Sequence, residues 1–361
     1  MSDRRPHILF TVLDWGLGHA TRSIPLIRAL IRNGARVTLA GEGSSLELLK
    51  QEFPQLESHT VEGIQVRYPN ARLNQFWMFF QAIRINFSIR KEHRAFIALS
   101  KKIKPDAIVS DNRYGAWVKD IPSFLICHQL QVLLPSGLSG LQNLFNRLYR
   151  QLFSPFREIW VPDLEAPPGL AGILSHPQVI PERTRYIGLL SRFNQFQSET
   201  VSDEPEITAV VSGPEPHRSA LENQLRALLV IQPCPSLLIT GKPQENKNEA
   251  QDHMMRIVNH LDTQKMTTRL RNSRLLILRP GYSTLMDLCA LGKSAICIPT
   301  PGQTEQEYLA SLHESNPLMV IRQNELNTKA VLLKDAPAGR FTFLVNTGID
   351  GTVDRLLQSI A

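Results

Sequence analysis

The residues with the plainest chemical potential follow the first apolar run, where the chain reads Trp15-Gly16-Leu17-Gly18-His19-Ala20-Thr21-Arg22. Gly16 and Gly18 allow the backbone to approach a ligand closely, and a helix beginning here offers free N–H groups. His19 at that helix start is suited to take a proton from a hydroxyl near neutral pH. Its tautomer needs a carboxylate partner. Asp111, just after an apolar run ending at Ser110, is one candidate, and Asp14 in the same loop is another. Asp111 reads equally as an ordinary helix cap or turn residue. A dinucleotide fingerprint requires a third glycine at position 21, where Thr21 stands, which argues against an NAD-dependent oxidoreductase.

A second constellation lies near the other end. Arg279-Pro280-Gly281-Tyr282-Ser283-Thr284 closes a strand, turns, and opens a helix. Hydroxyls and N–H groups at a helix start beside a guanidinium make a phosphate site. Asp287 falls one turn later on the side of Ser283 or Thr284, where a carboxylate can accept from a ribose diol. Gly302-Gln303-Thr304-Glu305-Gln306-Glu307 then sets a carboxylate beside a carboxamide, the mixture of donors and acceptors that sugar hydroxyls require. The plain alternative is a capped helix with solvated polar residues.

Positioning these groups calls for strand–turn–helix units. His7 to Leu13 is an apolar run of strand length, the helix after it ends at Asn33-Gly34, and Ala35 to Ala40 is the next strand. Further short apolar runs occur at Ala107–Ser110, Ser123–Cys127 and Glu158–Val161. The rhythm restarts with Ile207–Val211 and continues through Ser236–Thr240, Leu275–Leu278 and Ala295–Ile298. Alternation of this kind predicts parallel sheets covered on both faces. Ligands then bind at the carboxyl ends of strands, where the motifs above fall. The reading is an α/β chain of two Rossmann-like domains facing across a cleft. They span 1–190 and 206–347, with a polar linker at 191–205 and a last helix within 348–361 returning to the first domain.

The order Gly-x-Gly-His, Arg-x-Gly-Tyr-Ser-Thr-x-x-Asp, Pro-x-Pro-Gly-Gln-x-Glu-Gln resembles the GT-B glycosyltransferases. Within them it is similar to the branch related to the N-acetylglucosaminyltransferase of peptidoglycan synthesis (MurG-like, family 28 type). The likeness covers nearly the whole chain. Ser212-Gly213-Pro214-Glu215-Pro216-His217-Arg218 resembles the turn that faces the donor diphosphate in these enzymes. The resemblance implies a nucleoside-diphosphate sugar donor, with UDP as the nucleotide and an N-acetylhexosamine as one candidate sugar. Gly281 to Thr284 would lie at the diphosphate with Arg279 near it, Asp287 at the ribose, and Glu305-Gln306 at the sugar. His19 would be the base, and its neighbours Gly16, Gly18 and Arg22 would shape the acceptor side. Asp287 stands where Glu is more usual, and the first loop lacks the extra glycine of the peptidoglycan enzyme, so that enzyme's lipid-linked acceptor is not carried over.

No Asp-x-Asp pair occurs, which favours a metal-independent transfer with no cofactor, and the resemblance, with a base opposite the leaving group, implies inversion. A nucleotide-sugar 2-epimerase and a non-catalytic nucleotide-sugar-binding protein are the competing readings. Charge adds a partner class: residues 1–190 carry 23 Lys+Arg against 15 Asp+Glu, while 191–361 carry 17 against 18. The positive half favours an anionic partner. Phe76–Arg84 and Leu141–Arg157 mix large apolar with basic residues and fit a membrane interface, compatible with a lipid-linked acceptor. No nucleic-acid motif accompanies the charge. Four separated cysteines and the lack of an apolar run of membrane-crossing length suit a cytoplasmic protein, at the inner membrane face if it docks there.

Overall fold

The computed structural model describes residues 4–63, 75–134, 136–195, 206–242, 249–314, 317–326, 337, 339–345 and 347–360. The Phe76–Arg84 side chains, and residues 196–205 of the expected linker, lie outside the described residues. The chain divides into two compact units, Met1–Leu189 with Asn346–Ala361, and Leu190–Val345.

The first unit is built on seven strands: β1 (His7–Val12), β2 (Arg36–Gly41), β3 (Ser58–Thr60), β4 (Ala107–Asp111), β5 (Ser123–Ile126), β6 (Glu158–Val161) and β7 (Thr184–Tyr186). They are ordered β3-β2-β1-β4-β5-β6-β7, and every pairing is parallel. β1, β4 and β5 are buried along their whole length, which is why their sequences are apolar runs without alternation. The order reverses at β1, so the β1 and β4 ends frame a crevice outside the sheet. Helices α1 (Gly18–Arg32), α2 (Gly43–Glu52), α3 (Gln75–Ile103) and α4 (Gln142–Arg150) fill the connections.

The second unit repeats the plan with β8 (Ile207–Val210), β9 (Ser236–Ile239), β10 (Ala250–Asp252), β11 (Met255–Val258), β12 (Leu275–Leu278), β13 (Ala295–Cys297) and β14 (Leu318–Val320). Their order is β10-β11-β9-β8-β12-β13-β14, with only the edge hairpin β10–β11 antiparallel. Its helices are α5 (His217–Val230), α6 (Thr263–Asn272), α7 (Tyr282–Leu291) and α8 (Thr304–His313). The last helix, α9 (Ile349–Gln358), belongs to the first unit and packs on α1.

One segment differs from the sequence expectation. Ser191, Arg192 and Phe193, read as the start of a linker, are buried in the second unit, where a short 3-10 turn (Arg192–Gln195) packs on α7. α4 is inverted. Leu141, Leu144 and Leu148 are 54%, 57% and 53% exposed, while Gln142 and Asn146 on the opposite side bind the backbone of Val132 and Leu134. The amide side chains satisfy that irregular loop, so the polar face turns inward.

Candidate functional site

α1 starts at Gly18, and the chain reaches it through Gly16 at φ +97°, a conformation natural to glycine. His19 projects from this first turn, with 14% of its side chain exposed. Its Nδ1 lies 2.8 Å from Oδ1 of Asp111, the last residue of β4. A carboxylate only accepts, so the proton sits on Nδ1 and Nε2 is left basic. Of the two acids considered for this role, the structure brings Asp111 to the histidine. Asp14 instead accepts from the Ser45 amide at 2.9 Å in the first turn of α2.

Asp111 is buried and crowded with donors. Arg22 gives it Nε at 2.8 Å and Nη2 on the other oxygen, and the Ser23 hydroxyl lies at 3.0 Å. Burial alone would raise the Asp111 carboxyl, but Arg22 and His19 outweigh it and hold it far below the usual carboxylate range. Burial first, and Arg22 second, lower the His19 imidazole despite Asp111, so it is the free base at neutral pH. Arg22, expected to shape the acceptor side of the loop, is instead 2% exposed and bound to this carboxylate. His128, two residues past β5, completes the cluster with Nδ1 3.1 Å from Arg22 Nη1. Its place after a strand end is the signal that sequence reading passed over.

In the second unit, Gly281 caps α7 with φ −72° and ψ 149°, so no left-handed backbone demands glycine there. A Cβ at Gly281 would meet only Thr284 Oγ1, at 3.9 Å. Its distinguishing property is open space over the start of α7. Ser283 and Thr284 are half-buried in the first turn, whereas Tyr282, expected at the ligand, is buried in the core. Gly213 adopts φ +106°, and a Cβ there would lie 3.5 Å from Thr300 Oγ1 and 4.0 Å from Arg279 Nε.

Arg279, expected near the diphosphate, is held mostly by the protein's own acceptors. It is 1% exposed, with Nη1 donating to the Ile298 carbonyl at 2.9 Å and Nη2 to Gln323 Oε1 at 2.8 Å and the His217 carbonyl at 3.2 Å. Burial lowers it to about 10. It braces β12 against α5 and the β13 end. One donor remains: Arg279 Nε, like Thr300 Oγ1 and Gln303 Oε1, is buried with no hydrogen-bond partner among the described residues. Buried polar groups are rarely left in this state, so Arg279 Nε and Thr300 Oγ1 fit an anionic or hydroxylated ligand beside Gly213.

Asp287 stands one turn into α7, half-buried, and accepts from Ser191 Oγ at 2.6 Å. Burial raises it to about 6, against the opposing pull of Arg192. Arg218 donates to the Thr240 carbonyl and pairs with Glu215 at 3.2 Å. Glu305 is half-buried in the first turn of α8. Gln306, expected to face a sugar, is buried with Oε1 accepting from the Thr300 amide at 2.8 Å. It shapes the loop that presents Thr300.

A family model described as "Glycosyl transferase family 1" matches residues 6–122. A second, "Glycosyltransferase family 28 C-terminal domain", matches residues 222–334. A Methanosarcina mazei protein named "Uncharacterized glycosyltransferase" is 25% identical over 329 residues, covering 85% of this chain and 83% of its own. Among solved structures, Acinetobacter baumannii MurG aligns with a TM-score of 0.55 at 13% identity, over 98% of this chain and 100% of its own. UDP-GlcNAc 2-epimerase from Neisseria meningitidis bound to UDP-GlcNAc aligns at 0.58 and 12% identity, over 98% and 100%. At such identities these two structures speak for the fold. With two glycosyltransferase models matched in order along two Rossmann-like units, a curated glycosyltransferase relative and the fold of the solved structures, the chain is a glycosyltransferase of the GT-B fold.

Proposed function

We propose that this glycosyltransferase moves a sugar from a nucleoside diphosphate, UDP first among the candidates, to an acceptor hydroxyl, with inversion and without a metal ion. The observation that carries this reading is the pair of buried, unpartnered atoms at Gly213, Arg279 Nε and Thr300 Oγ1, with Gln303 Oε1 likewise unpartnered three residues beyond Thr300. A diphosphate and sugar would satisfy all three. As the glycosidic bond breaks, the electron pair goes to the β-phosphate oxygen. The α7 amides, Ser283 and Thr284 meet that charge, with Arg279 beneath. Asp287 takes the ribose, Arg218 flanks the Gly213 turn, and Glu305 with Gln303 reads sugar hydroxyls. In the first unit, His19 Nε2 removes the acceptor proton, and Asp111 stabilises the imidazolium that results. The absence of Asp-x-Asp from the sequence supports a metal-free course.

The donor half is tested by thermal shift with nucleoside diphosphates and their sugars, since a ligand of the folded state raises its melting temperature. Gly281→Val should change the melting temperature of the free protein little, because φ −72° suits any residue and a Cβ there meets nothing closer than 3.9 Å. It should weaken UDP binding by about tenfold or more, or ~1.4 kcal/mol, by covering the helix start. Undiminished UDP affinity in that variant sinks the diphosphate assignment. Incubation with labelled nucleotide sugar and no acceptor separates transfer from epimerisation: an epimer formed without nucleotide release would favour the latter.

The inverted α4 supports a lipid-linked acceptor and peripheral contact with an anionic membrane. No Asp or Glu occurs from 121 to 157, a stretch that holds Arg147, Arg150 and Arg157 beside the exposed leucines. Among the described residues no helix is long and apolar enough to cross a membrane. Leucines dipping into the interface with arginines at headgroups is the fitting geometry. Leu144→Glu with Leu148→Glu should reduce co-sedimentation with phosphatidylglycerol vesicles severalfold while leaving nucleotide binding intact. Equal sedimentation of variant and wild type rejects this surface.

A further inference from the structure

Arg22 is the unexpected member of the first-unit cluster, because an Asp–His base pair does not by itself require a guanidinium. All three of its nitrogens are engaged: Nε and Nη2 on the two Asp111 oxygens, and Nη1 on His128 Nδ1. Nη2 also sits 3.0 Å from His19 Nδ1. When Nδ1 carries the proton that it gives to Asp111, two donors face each other across that distance. A second proton on Nε2 would then place a cation against a buried cation. The groups around His19 are Arg22 on its own helix, Asp111 at the end of β4 and His128 beyond β5. A guanidinium only donates, so His128 presents a bare Nδ1 to it and, when neutral, keeps its own proton on Nε2.

We infer that Arg22 is a positioning residue: it takes up most of the Asp111 charge, fixes the orientation of that carboxylate, and keeps His19 uncharged to a lower pH than an isolated Asp–His pair would. His128 anchors the third nitrogen so that the fork cannot swing away. This rests on the reading of His19 as base, and it deepens that reading by assigning what sets the working pH. A buried Arg–Asp pair of this geometry is costly to break from one side, which explains why a transferase would keep Arg22 inside the protein. The arrangement trades some stabilisation of the imidazolium for a base that stays deprotonated in mildly acidic conditions.

The test is the pH profile of kcat/KM with saturating donor for wild type, Arg22→Gln and Arg22→Lys, together with an NMR titration of the His19 ring in the same full-length proteins. Arg22→Gln should raise the acid limb, and the His19 midpoint with it, by about one pH unit or more, the scale of one adjacent charge. Arg22→Lys keeps the cation but loses the fork. It should leave the limb within about half a unit of wild type while lowering turnover about tenfold, a loss of geometry without loss of charge. A limb and midpoint unmoved in Arg22→Gln overturn the inference, as does an Arg22→Lys profile displaced as far as the Gln variant's. The NMR midpoint needs no catalysis. If His19→Ala proves active while the midpoint still rises in Arg22→Gln, the base assignment fails and the role of Arg22 stands.

Discussion

Replacing His19 by alanine should lower turnover by roughly 10²–10⁴, the range for loss of a general base, while leaving UDP-sugar affinity unchanged. The expectation follows from geometry: Nδ1 is held by Asp111 at 2.8 Å, which turns Nε2 to the opposite side of a ring that is 14% exposed. His19 belongs to the first unit, whereas the residues proposed for the donor belong to the second. Asp111→Asn is the sharper companion. An amide can present its NH2 to His19 Nδ1, which favours the tautomer with the proton on Nε2 and removes the base without emptying the space. It should cost as much turnover as the alanine variant. Single-turnover transfer in the presence of excess donor measures both, and wild-type rates in either protein exclude the role.

The second large effect concerns Asp287, whose substitution should weaken the donor and stabilise the protein at once. Its carboxyl is raised to about 6 by burial, with only Ser191 and the charge of Arg192 in support. The sign is that of a raised acid. The folded form holds the proton more tightly than the unfolded one, so stability is greatest below about pH 4 and falls as pH climbs through 6. At pH 8 the ionised group is a burden, and Asp287→Asn should raise stability by ~1 kcal/mol in denaturant titration, since Asn can still accept from Ser191. The same change should weaken UDP-sugar binding by ~1.5–3 kcal/mol, the worth of a hydrogen bond to a charged acceptor. Wild-type affinity should fall as pH drops through about 6, and the variant's should not. A nucleotide sugar suits this measurement because its diphosphate, unlike that of UDP, has no ionisation in the window. Unchanged affinity in Asp287→Asn at pH 8 removes the ribose assignment.

Much of this architecture was legible because parallel strands buried on both faces must be unbroken apolar runs. β1, β4, β12 and β13 announce themselves in that way. His19 and Asp111 were legible for a related reason, since one opens the helix that follows β1 and the other closes β4. The fate of charged and amide side chains was not. Arg22 reads as a ligand-facing residue until its partner, 89 positions away, is known to be buried beside it. Arg279 and Gln306 were read as lying at the donor, yet each is engaged with backbone groups that only the folded loops supply. Thr300 escaped notice because a lone threonine carries no spacing signature, and His128 did so although it follows the end of β5. α4 shows the limit of periodicity: Leu141, Leu144 and Leu148 define one face, but only the needs of the Val132–Leu134 backbone decide that the other face goes in.

The return of α9 to the first unit has a consequence for how such a protein can be rebuilt. Leu190–Val345 is one uninterrupted stretch, whereas its companion is assembled from Met1–Leu189 and Asn346–Ala361. The second unit is therefore a cassette inserted into a host, joined by two covalent seams instead of one. Exchanging it for a homologous cassette asks only that both seams be cut at matching positions. Shortening the carboxyl terminus, by contrast, wounds the host at α1, far along the chain from where the cut was made.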